Sequence, residues 1–186
     1  MRIIAGRFRR RQLAGPVSDG VRPTSDRLRE TLFNVLGPGV EGARVLDAFA
    51  GTGALGLEAL SRGAGAAVLV EHDPRALAVI ADNVRRCGAQ AECRVVRGRF
   101  PAAAAPLSPF DLVLLDPPYD TTSLEALVEA AALMLSAAGL VVLEHARRRE
   151  APEVAGSLKR VRLLIAGDSA LSFYRPAADA PPADHA

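Results

Sequence analysis

At 186 residues and 49% hydrophobic, the chain fits one domain with a full core and a short extension at either end. No apolar run approaches a membrane span, and the start Met1-Arg2-Ile3-Ile4-Ala5-Gly6-Arg7 lacks the apolar core of a signal peptide, so the expectation is a cytoplasmic protein. Net charge is only +2, but it is unevenly spread.

Residues 1–30 hold eight arginines against Asp19, Asp26 and Glu30, a local balance of +5 that suggests contact with a polyanion. The chain has 22 arginines and one lysine, Lys159, a bias that a GC-rich genome explains; such a bias does not explain the clustering. Residues 1–22 read as an extended basic segment, a hairpin with its turn near Gly15-Pro16. A helix follows, capped by Thr24 or Ser25, with Asp26 in its first turn and Leu28, Leu32 and Val35 or Leu36 on one face. Gly37-Pro38-Gly39 ends it.

From residue 43, strand and helix alternate. Strands are expected at Arg44–Phe49, Ala67–Glu71, Arg94–Val96, Phe110–Leu115 and Leu140–Glu144, with helices near 53–62, 74–86 and 123–136. That alternation predicts a parallel sheet with helices on both faces. Val161–Ile165 and Leu171–Tyr174, separated by Ala166-Gly167-Asp168-Ser169, read as a hairpin added to the sheet edge. The segment from Pro176 to Ala186 reads as a disordered tail. Cys87 and Cys93 have neither redox nor zinc spacing, and His72, His145 and His185 are scattered, so no metal is expected.

Two motifs carry chemistry. Gly51-Thr52-Gly53-Ala54-Leu55-Gly56 satisfies the dinucleotide fingerprint, and Glu71 lies at the end of the next strand, where an acid accepts ribose hydroxyls. Alone this suggests NAD. Asp47 argues otherwise: a carboxylate at the end of the first strand would repel a pyrophosphate by several kcal/mol. It would attract an ammonium group instead. S-adenosylmethionine (SAM) has an ammonium, a ribose and no phosphate.

The second motif is Asp116-Pro117-Pro118-Tyr119, where an apolar strand leaves its sheet. An exocyclic amino group is a poor nucleophile because its lone pair is delocalised into the ring. Asp116 and the Pro117 carbonyl are suited to accept its two N–H bonds, which favours a pyramidal nitrogen and stabilises the charge that develops there. The prolines fix the acceptors, and Tyr119 offers a ring for stacking. Together the motifs point to an amino-directed methyltransferase acting on RNA, DNA or a protein amide. An NAD-dependent oxidoreductase and a non-catalytic RNA-binding protein are the competing readings.

Four segments resemble the RsmD family of bacterial methyltransferases. They are Met1 to Gly6; Arg22-Pro23-Thr24-Ser25-Asp26-Arg27 and the helix after it to Leu36; Val45 to Ala64; and Asp116 to Tyr119. The resemblance implies a class I SAM-dependent methyltransferase fold. Its features are a Rossmann-like α/β architecture, a mostly parallel seven-stranded sheet, a C-terminal antiparallel hairpin and a small basic N-terminal extension. It divides the chain into residues 1–42, which contact RNA, residues 43–175, the methyltransferase domain, and the tail 176–186. It implies transfer of methyl from SAM to the N2 of one guanine, guanine(966), in 16S ribosomal RNA or a small-subunit assembly intermediate, by a monomer without metal or membrane. Cofactor contacts then fall on Asp47, Phe49, Ala50, Gly51, Thr52, Gly53, Glu71, His72, Gly98 and Asp116. Catalysis falls on Asp116, Pro117, Pro118 and Tyr119, and RNA contacts on Arg7, Arg9, Arg10, Arg11, Arg22, Thr24 and Arg27. Two departures stand out. Val96-Arg97-Gly98-Arg99-Phe100 lacks the acid that many SAM enzymes use for adenine, and Arg10 stands where similar proteins often have glycine.

Overall fold

The central strands are buried on both faces, and their alternate residues join two separate core clusters. The computed structural model describes residues 1–15, 26–119 and 121–177, and in it the strands join one sheet. These are β1 (Arg44–Asp47), β2 (Ala66–Glu71), β3 (Cys93–Arg97), β4 (Phe110–Leu115), β5 (Leu135–Ala146), β6 (Val154–Ala155), β7 (Leu158–Ala166) and β8 (Ser169–Pro176). Their order is β3-β2-β1-β4-β5-β8-β7-β6. The first five run parallel, and β8 returns antiparallel between β5 and β7. The eighth strand is β6, a two-residue edge too short for any periodicity to register.

Helices α1 (Asp26–Leu36), α2 (Ala54–Ser61) and α3 (Pro74–Cys87) contribute to one face, over Val45, Leu69, Leu112 and Leu114. Helix α4 (Leu124–Ala132) covers the other, over Leu46, Val68, Val113 and Leu143. Asp73 caps α3 by accepting from Arg75 N at 2.8 Å, Pro74 opens it, and Gly88 closes it at φ +67°. α4 stops short of the expected residue 136. Leu135 pairs with Phe110 and starts β5 five residues early, across a bulge between Phe110 and Leu112. The alanine-rich run has helix propensity, but the start of β4 offers Leu135 a partner strand. The β7–β8 hairpin forms as expected, but Ala166 and Ser169 pair, so its turn is the two-residue loop Gly167-Asp168, with Gly167 at φ +63°.

The amino-terminal arm reverses earlier than expected. Its turn lies at Gly6–Arg10, where Arg9 N donates to Gly6 O and Arg10 N to Ile3 O; Arg2 then faces Gln12. The expected turn residue Pro16 lies outside the described residues, as do Thr24, Ser25 and the tail beyond Ala177. Ile3, Phe8 and Leu13 are buried in the same core as Leu32, Phe33, Leu57 and Leu60, each contributing on the order of 1.5–3 kcal/mol. Polar anchors hold the arm down. The Glu58 carboxylate on α2, fully buried, accepts from Ile4 N (2.8 Å), Ala5 N (3.1 Å) and Arg62 Nε (2.8 Å). Ser61 Oγ accepts from Phe8 N, and Asn83 Oδ1 on α3 from Ala14 N. Among the described residues, no helix is long and apolar enough to cross a membrane.

Candidate active site

In the strand order, the chain passes from β1 to β2 on one side and returns to β4 on the other. The crevice at that reversal, outside the carboxyl ends of the strands, is where α/β sheets hold ligands. Asp47 pairs in register with Leu114, so the glycine loop after β1 and Asp116 after β4 emerge side by side. They open on a cleft of about 1380 Å³.

Phe49, Ala50, Gly51, Thr52, Glu71, His72 and Gly98 line this cleft, together with Asp116, Pro117, Pro118 and Tyr119. Asp47 and Gly53 do not. Asp47 is 1% exposed, one layer below, where Oδ2 accepts from Gly56 N at 3.0 Å and pins the first turn of α2. Gly53, at φ +77°, begins that helix, and a Cβ there would come within 2.9 Å of Leu69 Cδ2. Gly56 is as constrained, with a Cβ 2.7 Å from Leu69 Cδ1. Both glycines therefore serve the close seating of α2 on β2.

The loop amides are engaged. Gly51 N donates to Glu71 Oε2 at 2.9 Å, Gly53 N to Ala50 O, and Gly56 N to Asp47. Glu71 Oε1 accepts from His72 N (2.7 Å) and Asp73 N (2.9 Å), with His72 Nδ1 at 3.0 Å. A pyrophosphate needs such amides as donors. Here they are bonded already, two of them to carboxylates.

Electrostatics agree. Burial pushes the Asp47 carboxyl up to about 7, the Gly56 N–H pulls it down, and the nearby Asp116 and Glu71 charges raise it further. Three acids from β1, β2 and β4 thus converge on a place suited to a cationic ligand. Among the described residues, no three His, Cys, Asp or Glu side chains are grouped to hold a metal ion.

Where the third strand lacks an acid, the structure places an aromatic ring. Phe100 lies 5.8 Å from Phe49, tilted by 55°, and both line the cleft. The Asp-Pro-Pro-Tyr loop presents Tyr119, 52% exposed as a residue, while Pro117 is buried.

Of the expected RNA contacts, Arg27 alone among the described ones lines the cleft. Arg22 and Thr24 lie outside the described residues. Arg7, Arg9, Arg10 and Arg11 sit around the arm's reversal, at the other end of α2 and α3. Arg7 pairs with Glu92 at 2.9 Å and Arg11 Nη1 donates to Arg86 O. α3 has 14 residues, which separates that end from the cleft by roughly 20 Å. Arg10 takes φ +69°, the left-handed backbone that glycine favours. Sequence reading missed Thr31 on α1, Glu144 at the end of β5 and the β7–β8 turn, all in the cleft wall. Glu144 had a signal: it is an acid ending an apolar strand next to β4.

Fold and cleft are those of class I SAM-dependent methyltransferases. The sequence matches the family described as Conserved hypothetical protein 95 over residues 1–175, and the chain belongs to that family, the RsmD family. It is 38% identical over 178 residues to the Escherichia coli K12 protein named Ribosomal RNA small subunit methyltransferase D, covering 94% of this chain and 89% of that one. Bacillus subtilis YlbH is 35% identical over 181 residues, covering 94% and 98%. The solved structure of Escherichia coli yhhF superposes with a TM-score of 0.80 at 37% identity, covering 96% and 99%.

Proposed function

We propose that this protein transfers methyl from SAM to the exocyclic N2 of a guanine in small-subunit ribosomal RNA. The observation that carries the reading is the juxtaposition of Asp116-Pro117-Pro118-Tyr119 with the acid-lined glycine loop, in one cleft at the sheet's switch point. The similarity to an enzyme named for small-subunit ribosomal RNA supports the substrate class, and such a substrate fits a cytoplasmic protein.

The residues fit SAM. Glu71 has lone pairs left for ribose hydroxyls, and Phe49 with Phe100 offers an apolar slot for a flat adenine in place of the absent acid. The converging carboxylates favour the ligand's positive charges and disfavour NAD. SAM supplies an activated methyl group on a positively charged sulfur. Asp116 and the Pro117 carbonyl take hydrogen bonds from the amino group, and Asp116 stabilises the positive charge that grows on nitrogen. Its carboxylate also lies where the departing proton is accepted. Tyr119 stacks on the base and fixes its plane, so the contribution is mostly orientation. Arg27, Arg75 and Arg99, from three elements lining the cleft, are placed to meet RNA phosphates.

Incubation with labelled SAM and unmodified 16S ribosomal RNA, or a small-subunit particle, tests the reading. Label should enter the RNA and vanish with Asp116→Ala. Calorimetry should show micromolar binding of SAM and none of NAD; the reverse would make the chain an oxidoreductase.

A further inference from the structure

Three loops meet beside Tyr119. The first is the Asp-Pro-Pro-Tyr loop after β4. The second is the turn after β5, which carries Arg147 and Arg149. The third is the β7–β8 turn. Arg149 Nη1 donates to Tyr119 O at 3.2 Å and Nη2 to Thr122 O at 3.1 Å, so one guanidinium holds both limbs of the loop. Arg147 N donates to Asp168 O at 2.8 Å, which ties the second loop to the third. The Tyr119 hydroxyl lies 3.3 Å from Ser169 Oγ, which closes the circuit. Tyr119 is thus held at both ends, backbone and ring tip, while the residue stays 52% exposed. A planar fork with parallel donors suits two carbonyls, and a lysine cannot reproduce it.

We propose that Arg149 and Ser169 are positioning residues, which preset the Tyr119 ring as a platform for the target base. This inference rests on the stacking role assigned to Tyr119 above. A ring free to rotate loses entropy when the base arrives; a ring already held does not. The clamp acts on substrate binding and leaves the methyl donor's side of the cleft alone. It also gives the C-terminal hairpin a function beyond extending the sheet, since its turn forms one wall of the base site.

The test has two arms. The chain contains no tryptophan and two tyrosines, and Tyr174 is fully buried, so quenchable tyrosine emission reports Tyr119. Arg149→Lys, Arg149→Ala and Ser169→Ala should each raise acrylamide quenching and lower the anisotropy of the emission that Tyr119→Phe removes. This arm needs neither SAM nor turnover, so it decides the clamp even if the proposed reaction fails. In the second arm, the same variants should raise KM for RNA about 5–20-fold, as expected for one or two lost hydrogen bonds. The kcat and SAM affinity should stay within about 2-fold of the parent, a span of only ~0.4 kcal/mol. Ser169→Ala in a Tyr119→Phe background should add nothing, because both remove the same contact. Multiplicative effects of those two changes, or Arg149 variants with unaltered emission, would overturn the clamp.

Discussion

The two ends of α2 and α3 treat charge in opposite ways. At the carboxyl ends of β1, β2 and β4, like charges converge: Asp116 and Glu71 line the cleft and raise the proton affinity of Asp47 one layer below. At the other end, opposite charges are matched, with Arg7 on Glu92 and Arg85 and Arg86 on Asp82. Between them, Glu58 gathers the arm's backbone and Arg62 in a site with no solvent. Converging like charges mark the end that takes a ligand, and paired opposite charges mark the end that holds the fold. A count of arginines along the sequence cannot make that distinction.

Removing the acceptor at the ligand end should break the comparison most sharply. Asp116→Ala is expected to cut kcat by about 10²–10³-fold or more, and to weaken SAM binding by calorimetry as well, because one of the converging carboxylates is lost. At the structural end, Glu58→Ala takes from Arg29, itself fully buried with its Nε 3.7 Å from Glu58, its buried counter-charge and leaves it the half-exposed Asp26. The expected loss is about 3–5 kcal/mol in chemical denaturation, with the chemistry intact in molecules that remain folded.

Asp47 joins both roles, and pH separates them. Its folded carboxyl sits near 7, above the ordinary value, so the folded state binds the proton more tightly than the unfolded chain. Relative to Asp47→Asn, the wild type should therefore lose stability as pH rises from about 4 to about 7, by a few kcal/mol at most, and stay level above that. Cationic SAM should reverse the trend, with affinity rising through the same window in the wild type and flat in the variant. Denaturation and calorimetry across pH 4–9 check both signs.

Smaller effects sharpen the contrast among arginines. Arg27→Ala should weaken RNA binding about 3–10-fold and lower the salt slope by about one. Arg7→Ala with Arg11→Ala should change RNA binding less, although two charges are lost, because those side chains bond to the protein itself. Deleting the whole arm would not test this, since Ile3, Phe8 and Leu13 would leave the core with it. Smallest of all, Arg10→Gly should stabilise by roughly 0.5–1 kcal/mol by relieving the left-handed strain at φ +69°, less glycine's entropy in the unfolded chain.

Much of the fold was legible because its signals are local. Apolar runs bounded by Gly and Pro gave the strands within a few residues, and Asp73-Pro74 with Gly88 bracketed α3. The cleft wall was legible where chemistry is packed into short motifs, at Phe49–Thr52 and Asp116–Tyr119. What escaped depends on distant partners. Leu135 becomes strand because Phe110 lies beside it, and the arm turns at Gly6–Arg10 because Glu58 and Ser61 offer acceptors there. Arg149 reads as one arginine in a run of three until its guanidinium is seen on Tyr119. Asp47 was read as facing the ligand, and only its depth shows that it bonds the amide of Gly56.

The most direct measurement is mass-spectrometric mapping of the nucleotide methylated when the protein, SAM and unmodified small-subunit RNA or particle react. A methyl group on N2 of a single guanine, absent with Asp116→Ala, is the expected result. Methyl on adenine, cytosine or protein, with none on guanine, would contradict the account.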